Sequence, residues 1–398
     1  SDVCSSDLKA LKQILPSSTA VQPILLRDGN DTHTTPGDIA RCFNHFFTTI
    51  CSKLADLLPQ NIQTLRNTYE HITRTFNFSS IPSSYVQTEL SQLQCGKSTG
   101  LDNIHPRLLK DTAHIVAYPL SLIMNCSLQR GTLPLEWKET RVCPIHKAGS
   151  RHEVSNFRPI SILPITMKIF EKAVHAQLKE YMKQNGLPCP EQSGFQQNHS
   201  TCTTLIDTTD YILSNMDSGK LTGVAYLDLK KAFDTVDVNC LLKKLIHIGI
   251  QNTELEWFNN YLRGRKQCVR VNGETSDKEN IEYGVPQGCI LGPLLFVFYV
   301  NDLHMVIRRC KLVLYADDTV LMSTNESVET IQSDLQSDLS SAQDWFNTNR
   351  LHLNINKTKF MLFGTAQKLK SNECPKLNIN GTDIEEVNHY KYLGVYLD

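Results

Sequence analysis

Three carboxylates stand where an apolar strand has no use for charge. Asp317 and Asp318 lie inside "LVLYADDTVLM" (Leu312–Met322), and Asp228 lies near the end of "VAYLDL". An unpaired charge in a buried strand is costly, and two like charges side by side cost more. For Asp317–Asp318 the plain alternative is a turn, since Asp is a common turn residue. Two-residue hairpin turns prefer Asn-Gly or Asp-Gly, however, because both positions need positive φ. At that pair alone the two readings balance, and Asp228 alone could merely cap a turn. Three carboxylates converging from two apolar strands call for compensating cations. Hard divalent ions supply them, and Mg²⁺ typically takes one or two carboxylates plus substrate phosphates. Two such ions about 4 Å apart can activate an attacking hydroxyl and neutralise a leaving pyrophosphate. That chemistry is nucleotidyl transfer, which rests on positioning and charge stabilisation.

The elements that must hold these groups can be read in outline. "LTGVAYLDL" (Leu221–Leu229) reads as a buried strand. "KLVLYA" and "TVLM" read as two more, with the Asp pair at the tip of a tight hairpin. Helical periodicity recurs at Ile39, Phe43, Phe46, Phe47, Ile50 and Leu54. It recurs at Ile169, Phe170, Val174, Leu178 and Met182, ending near Gly186, and from Val328 to Trp345. Helices are also expected near 239–249 and 253–263, and Pro106 marks a further helix start. Thr140–His146 reads as a strand, "TFNFSSIPSSYVQ" as a linker, and "RKQCVRVNGETSDKENIEYGVPQG" as a hairpin closed through Asn272-Gly273. Strands and helices alternate irregularly, which suggests α+β rather than a doubly wound parallel sheet.

Bulk composition narrows the options. The chain has 398 residues, 40 Lys+Arg against 41 Asp+Glu, and 40% hydrophobic residues, an ordinary globular balance. With a net charge of −1, any nucleic-acid binding must come from local basic surfaces. The 13 cysteines show no CxxC pair and no zinc-like spacing, which reads as reduced thiols inside a cell. No twenty-residue apolar span occurs. "SDVCSSDL" (Ser1–Leu8) is the translation of TCAGACGTGTGCTCTTCCGATCT, the end of a common sequencing-library adapter. It is therefore expected to be an assembly scar and is left out of fold reasoning, with the true N-terminus missing.

"YLDLKKAFDTVD", "GVPQGCILGPLLFVFYVNDL" and "LYADDTVLM", in that order, resemble motifs A, B and C of reverse transcriptases, closest to LINE-type (non-LTR) retrotransposons of the jockey-like group. "GKSTGLDNIHPRLLK", "NFRPISILP" with "KIFEK", and "EQSGFQQNHST" resemble the upstream finger blocks. "NRLHLNINKTKFMLF" and "HYKYLGVYLD" resemble motifs D and E. The likeness covers roughly residues 86–398. It implies a right-hand polymerase fold in which 9–85 is a helical extension or linker and 86–210 the fingers. Residues 211–398 would be a palm with an antiparallel sheet flanked by helices, ending at the primer-grip hairpin with the thumb missing. The implied activity is RNA-directed DNA polymerisation with Mg²⁺, or Mn²⁺ as substitute, on an RNA template, a DNA primer and deoxynucleoside triphosphates. The family's location implies the cytoplasm and nucleus.

Residue by residue, the resemblance makes Asp228 and Asp317 the principal metal ligands with Asp318 beside them. Phe233 would be a steric gate under the sugar, where ordinary core packing is the plain alternative. Gln287 and Gly288 would meet the incoming nucleotide and template, Tyr315 would border it, and Arg158 would contact the triphosphate. Gln196 stands where many relatives have arginine, which leaves more of that load on Arg158 or a nearby lysine; Cys289 replaces the usual serine. Lys357 resembles a motif D lysine that protonates leaving pyrophosphate, with Lys359 the other choice. Leu393 and Gly394 would centre the primer grip. Basic residues at Lys138, Arg141, Lys147, Arg151, Arg158, Lys168 and Lys172, and at Arg263, Arg265, Lys266 and Arg270, would line a template channel. An RNA-dependent RNA polymerase, an intron maturase and an inactive RNA-binding remnant are the competing readings. Phe233 and the Tyr-Ala-Asp-Asp form argue against the first, and the intact carboxylates against the last.

Overall fold

The computed structural model describes residues 25–55, 74–371 and 375–398. The proposed scar and the helical signals within 9–24 and 56–73 lie outside the described residues. A short hairpin of β1 (Leu26–Asp28) and β2 (Asp31–His33) leads into α1 (Pro36–Ala55), α2 (Ser83–Ser91), α3 (Pro106–Asp111) and α4 (Ala113–Arg130). Next come β3 (Glu139–His146), β4 (Phe157–Ile162), α5 (Ile165–Gln184), α6 (Thr201–Asp217) and β5 (Leu221–Leu227). They lead to α7 (Val238–His247), α8 (Asn252–Leu262), β6 (Arg265–Val271), β7 (Glu274–Thr275), β8 (Glu279–Ile281) and α9 (Leu291–Val300). β9 (Lys311–Tyr315), β10 (Asp318–Asn325), α10 (Val328–Thr348), β11 (Lys359–Phe363) and α11 (Ala366–Ser371) follow. The last elements are β12 (Asn378–Ile379), β13 (Thr382–Asp383), β14 (Glu385–Glu386), β15 (Tyr390–Tyr392) and β16 (Val395–Leu397).

Local chemistry sets many of these boundaries. Pro106 occupies the first turn of α3, where its missing N–H costs nothing. Ser200 and Thr203 form a reciprocal capping box at the start of α6. Gly131 takes the left-handed conformation that ends α4. Asn272 and Gly273 both have positive φ, 47° and 94°, as the expected β6–β7 turn requires.

The central sheet has the order β14-β11-β5-β10-β9, antiparallel except for the β11–β14 pair. All seven residues of β5 are buried, which is why its sequence shows no alternation of apolar and polar residues. Its alternate residues serve two cores. Leu221, Ala225 and Leu227 join Ile331, Leu335 and Leu339 of α10, while Val224 and Tyr226 join Ile212 of α6 and Tyr392. At Gly223 a Cβ would come within 2.5 Å of Ile331, so glycine lets α10 approach the strand.

A second sheet has the order β4-β3-β6-β7, with β3–β6 parallel and β8 also on β6. Phe43 and Phe47 of α1 pack with Val142, Phe157, Val269 and Val271 on this sheet. The architecture is thus mixed, with helices on sheets that combine antiparallel and parallel pairs. The stretch read as a linker is packed into the main core: Phe76 and Ile81 are buried, and the Phe76 amide donates to the Gly249 carbonyl at 2.9 Å. Among the described residues no helix is long and apolar enough to cross a membrane.

Candidate active site

The three carboxylates meet at one end of the central sheet. Thr319 pairs with Leu227 across β10 and β5, so continuing the register by one residue sets Asp318 opposite Asp228. Tyr315 pairs with Asp318, which leaves Ala316 and Asp317 as the two-residue turn. The tip is therefore Ala-Asp rather than Asp-Asp, and Asp318 is the first residue of β10. Ala316 carries the positive φ, 57°. An alanine there needs support, and Gln192 gives it. Its buried Oε1 accepts from the Ala316 amide at 2.9 Å and from the Gly194 amide at 2.7 Å. A Cβ on Gly194 would lie 2.2 Å from the Ala316 nitrogen, so only glycine permits this approach.

A cleft of roughly 700 Å³ opens beside the carboxylates. Asp228, Asp317, Phe233, Gln287, Gly288, Arg158 and Lys357 all line it, together with Lys147, Lys230 and Lys231. Arg158 reaches the cleft from β4, whose pairing sets it opposite Ile145 of β3. The loop carrying Gln287 is tied on two sides. Its Gln287 carbonyl accepts from the Ser161 amide at 2.7 Å, and the Gln287 side chain donates to Asp234 at 2.7 Å. The Val285 amide donates to the Phe233 carbonyl at 3.0 Å, and the Phe233 ring stacks on Phe296 with centroids 4.4 Å apart.

Other candidates lie elsewhere. Tyr315 and Asp318 are outside the residues that line this cleft. Lys359 is drawn away into an ion pair with Glu385 at 2.5 Å. Leu393 and Gly394 form the positive-φ turn of the β15–β16 hairpin, and that hairpin reaches the site through Tyr390. The Tyr390 ring stacks on Tyr226 at 4.1 Å, and its phenol is pushed up to about 12 by burial and by the charges of Asp228 and Asp318. Two members of the basic clusters are corrections. Lys138 and Arg265 are buried, and Arg265 donates to the Tyr261 carbonyl and Thr140, so neither faces a nucleic acid. Lys172 is paired with Glu89.

The electrostatics fit a cation site. Among the described residues, none of Asp228, Asp317 and Asp318 makes an ion pair within 4.0 Å. Burial raises the Asp317 pKa, Asp228 adds to that, and Arg158 and Lys147 oppose it. Asp318 reaches solvent at its edge, yet desolvation by flanking protein, then Asp317 and Asp228, push it up to about 6. Burial lowers the Lys147 pKa, as do Arg158 and Lys357. Asp317 and Asp318, raised first by burial and then by neighbouring carboxylate charge, belong to a donor set suited to a hard divalent ion. The three do not form a threesome within 4.8 Å; among the described residues the donor cluster that tight is Cys189, Glu191 and His304.

Sequence reasoning missed several supporting residues. Asn354 donates from Nδ2 to Asp228 at 2.8 Å, and its amide donates to the Asp228 carbonyl at 2.8 Å. Glu171 accepts from the Ile290 amide at 2.8 Å, just beyond the Gln287 loop. Ile50 and Leu54 of α1 line the cleft, and Lys231 lies over the Phe46 ring at 5.1 Å. Their partners are far away in sequence, so no local signal marks them.

Known proteins resemble this chain over most of its length. The chain is 28% identical over 368 residues to the probable RNA-directed DNA polymerase from transposon BS of Drosophila melanogaster, covering 90% of this chain and 40% of that protein. It is 30% identical over 349 residues to the RNA-directed DNA polymerase from mobile element jockey of the same fly, covering 84% and 37%. With the probable RNA-directed DNA polymerase from transposon X-element, identity is 25% over 415 residues, covering 100% and 44%. The chain thus spans about two fifths of the length of these curated relatives. A family model described as reverse transcriptase (RNA-dependent DNA polymerase) matches residues 145–397. That span takes in every strand of the central sheet and both carboxylate-bearing segments. The chain belongs to the reverse transcriptase (RNA-dependent DNA polymerase) family, in its jockey-like non-LTR branch.

Proposed function

We propose that this chain is the polymerase core of a longer retrotransposon protein and extends a DNA primer on an RNA template. The observation that carries the reading is the meeting of Asp228 with Asp317 of the hairpin turn and Asp318 at the start of β10, beside a cleft that also holds Arg158, Phe233 and Gln287. Residues 86–210 act as fingers and 211–398 as palm, the two meeting where β4 bonds the Gln287 loop. Asp228 and Asp317, with Asp318 beside them, would hold Mg²⁺, or Mn²⁺ in its place, which supplies activation of the primer 3′-hydroxyl and charge neutralisation on leaving pyrophosphate.

The protein's own groups do the rest. Arg158 and Lys147 bind the triphosphate oxygens, Arg158 through its planar fork of donors. Phe233 lies under the sugar and excludes a 2′-hydroxyl. Gln287, held by Asp234, sets the incoming base against the template, with Gly288 allowing close backbone approach. Lys357 delivers a proton to the departing pyrophosphate oxygen. Tyr315, outside the cleft lining, flanks the turn that carries Asp317 and would border the nucleotide from that side, and the Leu393–Gly394 turn steadies the primer end.

Primer extension on RNA with deoxynucleotides and Mg²⁺ tests this. Wild-type protein should extend the primer, and an Asp317→Ala, Asp318→Ala variant of the same thermal stability should not. Extension that survives the double substitution overturns the assignment.

A further inference from the structure

Cys189, Glu191 and His304 bring three different donors together outside the catalytic cleft. Their ligand atoms all lie within 4.8 Å of one another. Each is held in place. The Cys189 amide donates to Asn301 Oδ1 at 2.7 Å, and His304 Nδ1 lies 2.7 Å from the Asn301 carbonyl oxygen. A carbonyl can only accept, so Nδ1 carries the proton and Nε2 keeps its lone pair. Metal-bound histidines are oriented in this same way by an acceptor on the ring nitrogen that does not bind the metal. Glu191 Oε2 is buried with no hydrogen-bond partner, a costly state for a carboxylate oxygen. A second cavity, of roughly 610 Å³, is lined by Glu191 and His304.

We propose that these three residues form a zinc site. Sulfur, imidazole and carboxylate together favour borderline-soft Zn²⁺ over the hard Mg²⁺ of a polymerase centre. Thiolate and carboxylate balance its charge, and the ion satisfies the orphaned Glu191 oxygen. The site fastens the segment after α5 to the turn after α9. That segment grips the catalytic hairpin: the Glu191 carbonyl accepts from the Leu314 amide at 2.9 Å, the Ser193 amide donates to the Leu314 carbonyl at 2.8 Å, and Gln192 holds Ala316. Zinc therefore braces the turn that carries Asp317. The ion site stands without the polymerase reading; its effect on the hairpin rests on it.

The test is metal content and cobalt spectroscopy on the whole chain after chelation and reloading. Wild-type protein should take up one Zn²⁺ per chain, and Co²⁺ in its place should give a thiolate-to-cobalt charge-transfer band. Cys189→Ser should abolish that band. His304→Gln should weaken Zn²⁺ binding by more than the roughly 10–100-fold typical of losing an outer-shell partner. Added Zn²⁺ should raise the melting temperature of wild type and leave the variants unmoved. Should Cys189→Ser fail to fold, His304→Gln and Glu191→Gln give the same reading. Equal Zn²⁺ uptake by wild type and variants, or a cobalt complex without the charge-transfer band, overturns the proposal. Primer extension is measured separately, so loss of activity with zinc still bound counts against the polymerase reading alone.

Discussion

Asn354 shows how one amide orients a carboxylate it never resembled in sequence. Its Nδ2 donates to Asp228 at 2.8 Å, fixing one carboxylate oxygen and leaving the other free to bind an ion. Removing such an outer contact typically costs about 10–100-fold in metal affinity or activity. Asn354→Ala should therefore lower primer extension by that factor and raise the Mg²⁺ concentration needed for half-activation. Melting temperature should stay nearly constant, because the residue is only half-buried. A drop in activity that excess Mg²⁺ leaves untouched would assign Asn354 another role. Phe233 also lines the cleft, its ring stacked on Phe296 and its carbonyl held by the Val285 amide. If Phe233 is the proposed gate, shortening its ring opens room under the sugar. Phe233→Val should raise kcat/KM for ribonucleotides relative to deoxynucleotides by roughly 10–200-fold, the range available from a change in pocket shape. Single-nucleotide incorporation kinetics read this directly.

At the scale of elements, Glu171 pins three helices through one buried carboxylate. It sits on α5, accepts from the Tyr261 hydroxyl of α8 at 2.7 Å, and accepts from the Ile290 amide at the start of α9. Burial raises its pKa above the ordinary 4.5, while Tyr261 and the Ile290 amide pull the other way. The folded chain thus holds this proton more tightly than the unfolded chain does. As pH rises from 4.5 towards the raised value, the unfolded state releases its proton first, so stability falls over that interval. Glu171→Gln removes the titration, and its oxygen can still accept from Ile290. Urea midpoints measured across the acidic-to-neutral range should slope downward with pH for wild type and less steeply for the variant. Parallel slopes would mean that Glu171 does not titrate. The "KIFEK" helix was legible from its apolar spacing, but this role was not, because Tyr261 is 90 residues away. The Asn272-Gly273 turn was fully legible, since its φ values come from its own two residues. The Ala316–Asp317 turn was legible only as a hairpin. Its composition fits no preferred turn, and the missing support comes from Gln192, 124 residues earlier.

For the whole molecule, the lesson of α1 is that an amphipathic helix announces burial but not purpose. Its apolar spacing predicted the helix, and nothing in it hinted at chemistry. In the structure it closes the second sheet and walls the cleft, although it precedes the family-matched span of residues 145–397. Phe43 is fully buried and meets Phe157 edge-on at 4.9 Å, beside Arg158 on the same strand. Asn44, also buried, donates to the Asp277 carbonyl at 2.9 Å and accepts from Gln267 at 3.1 Å. Helix and sheet therefore share one core. Phe43→Ala should destabilise the chain by about 3–5 kcal/mol, the usual cost of emptying a buried phenylalanine site. It should also raise KM for deoxynucleotides more than it lowers kcat, because Arg158 loses the packing behind its strand. A chain beginning at Arg74 exposes Val142, Phe157, Val269 and Val271 together, and should melt earlier than the point variant. If that shortened chain keeps the full-length melting temperature and KM, α1 is an appendage, and the wall it makes beside Asp228 has no part in binding the nucleotide.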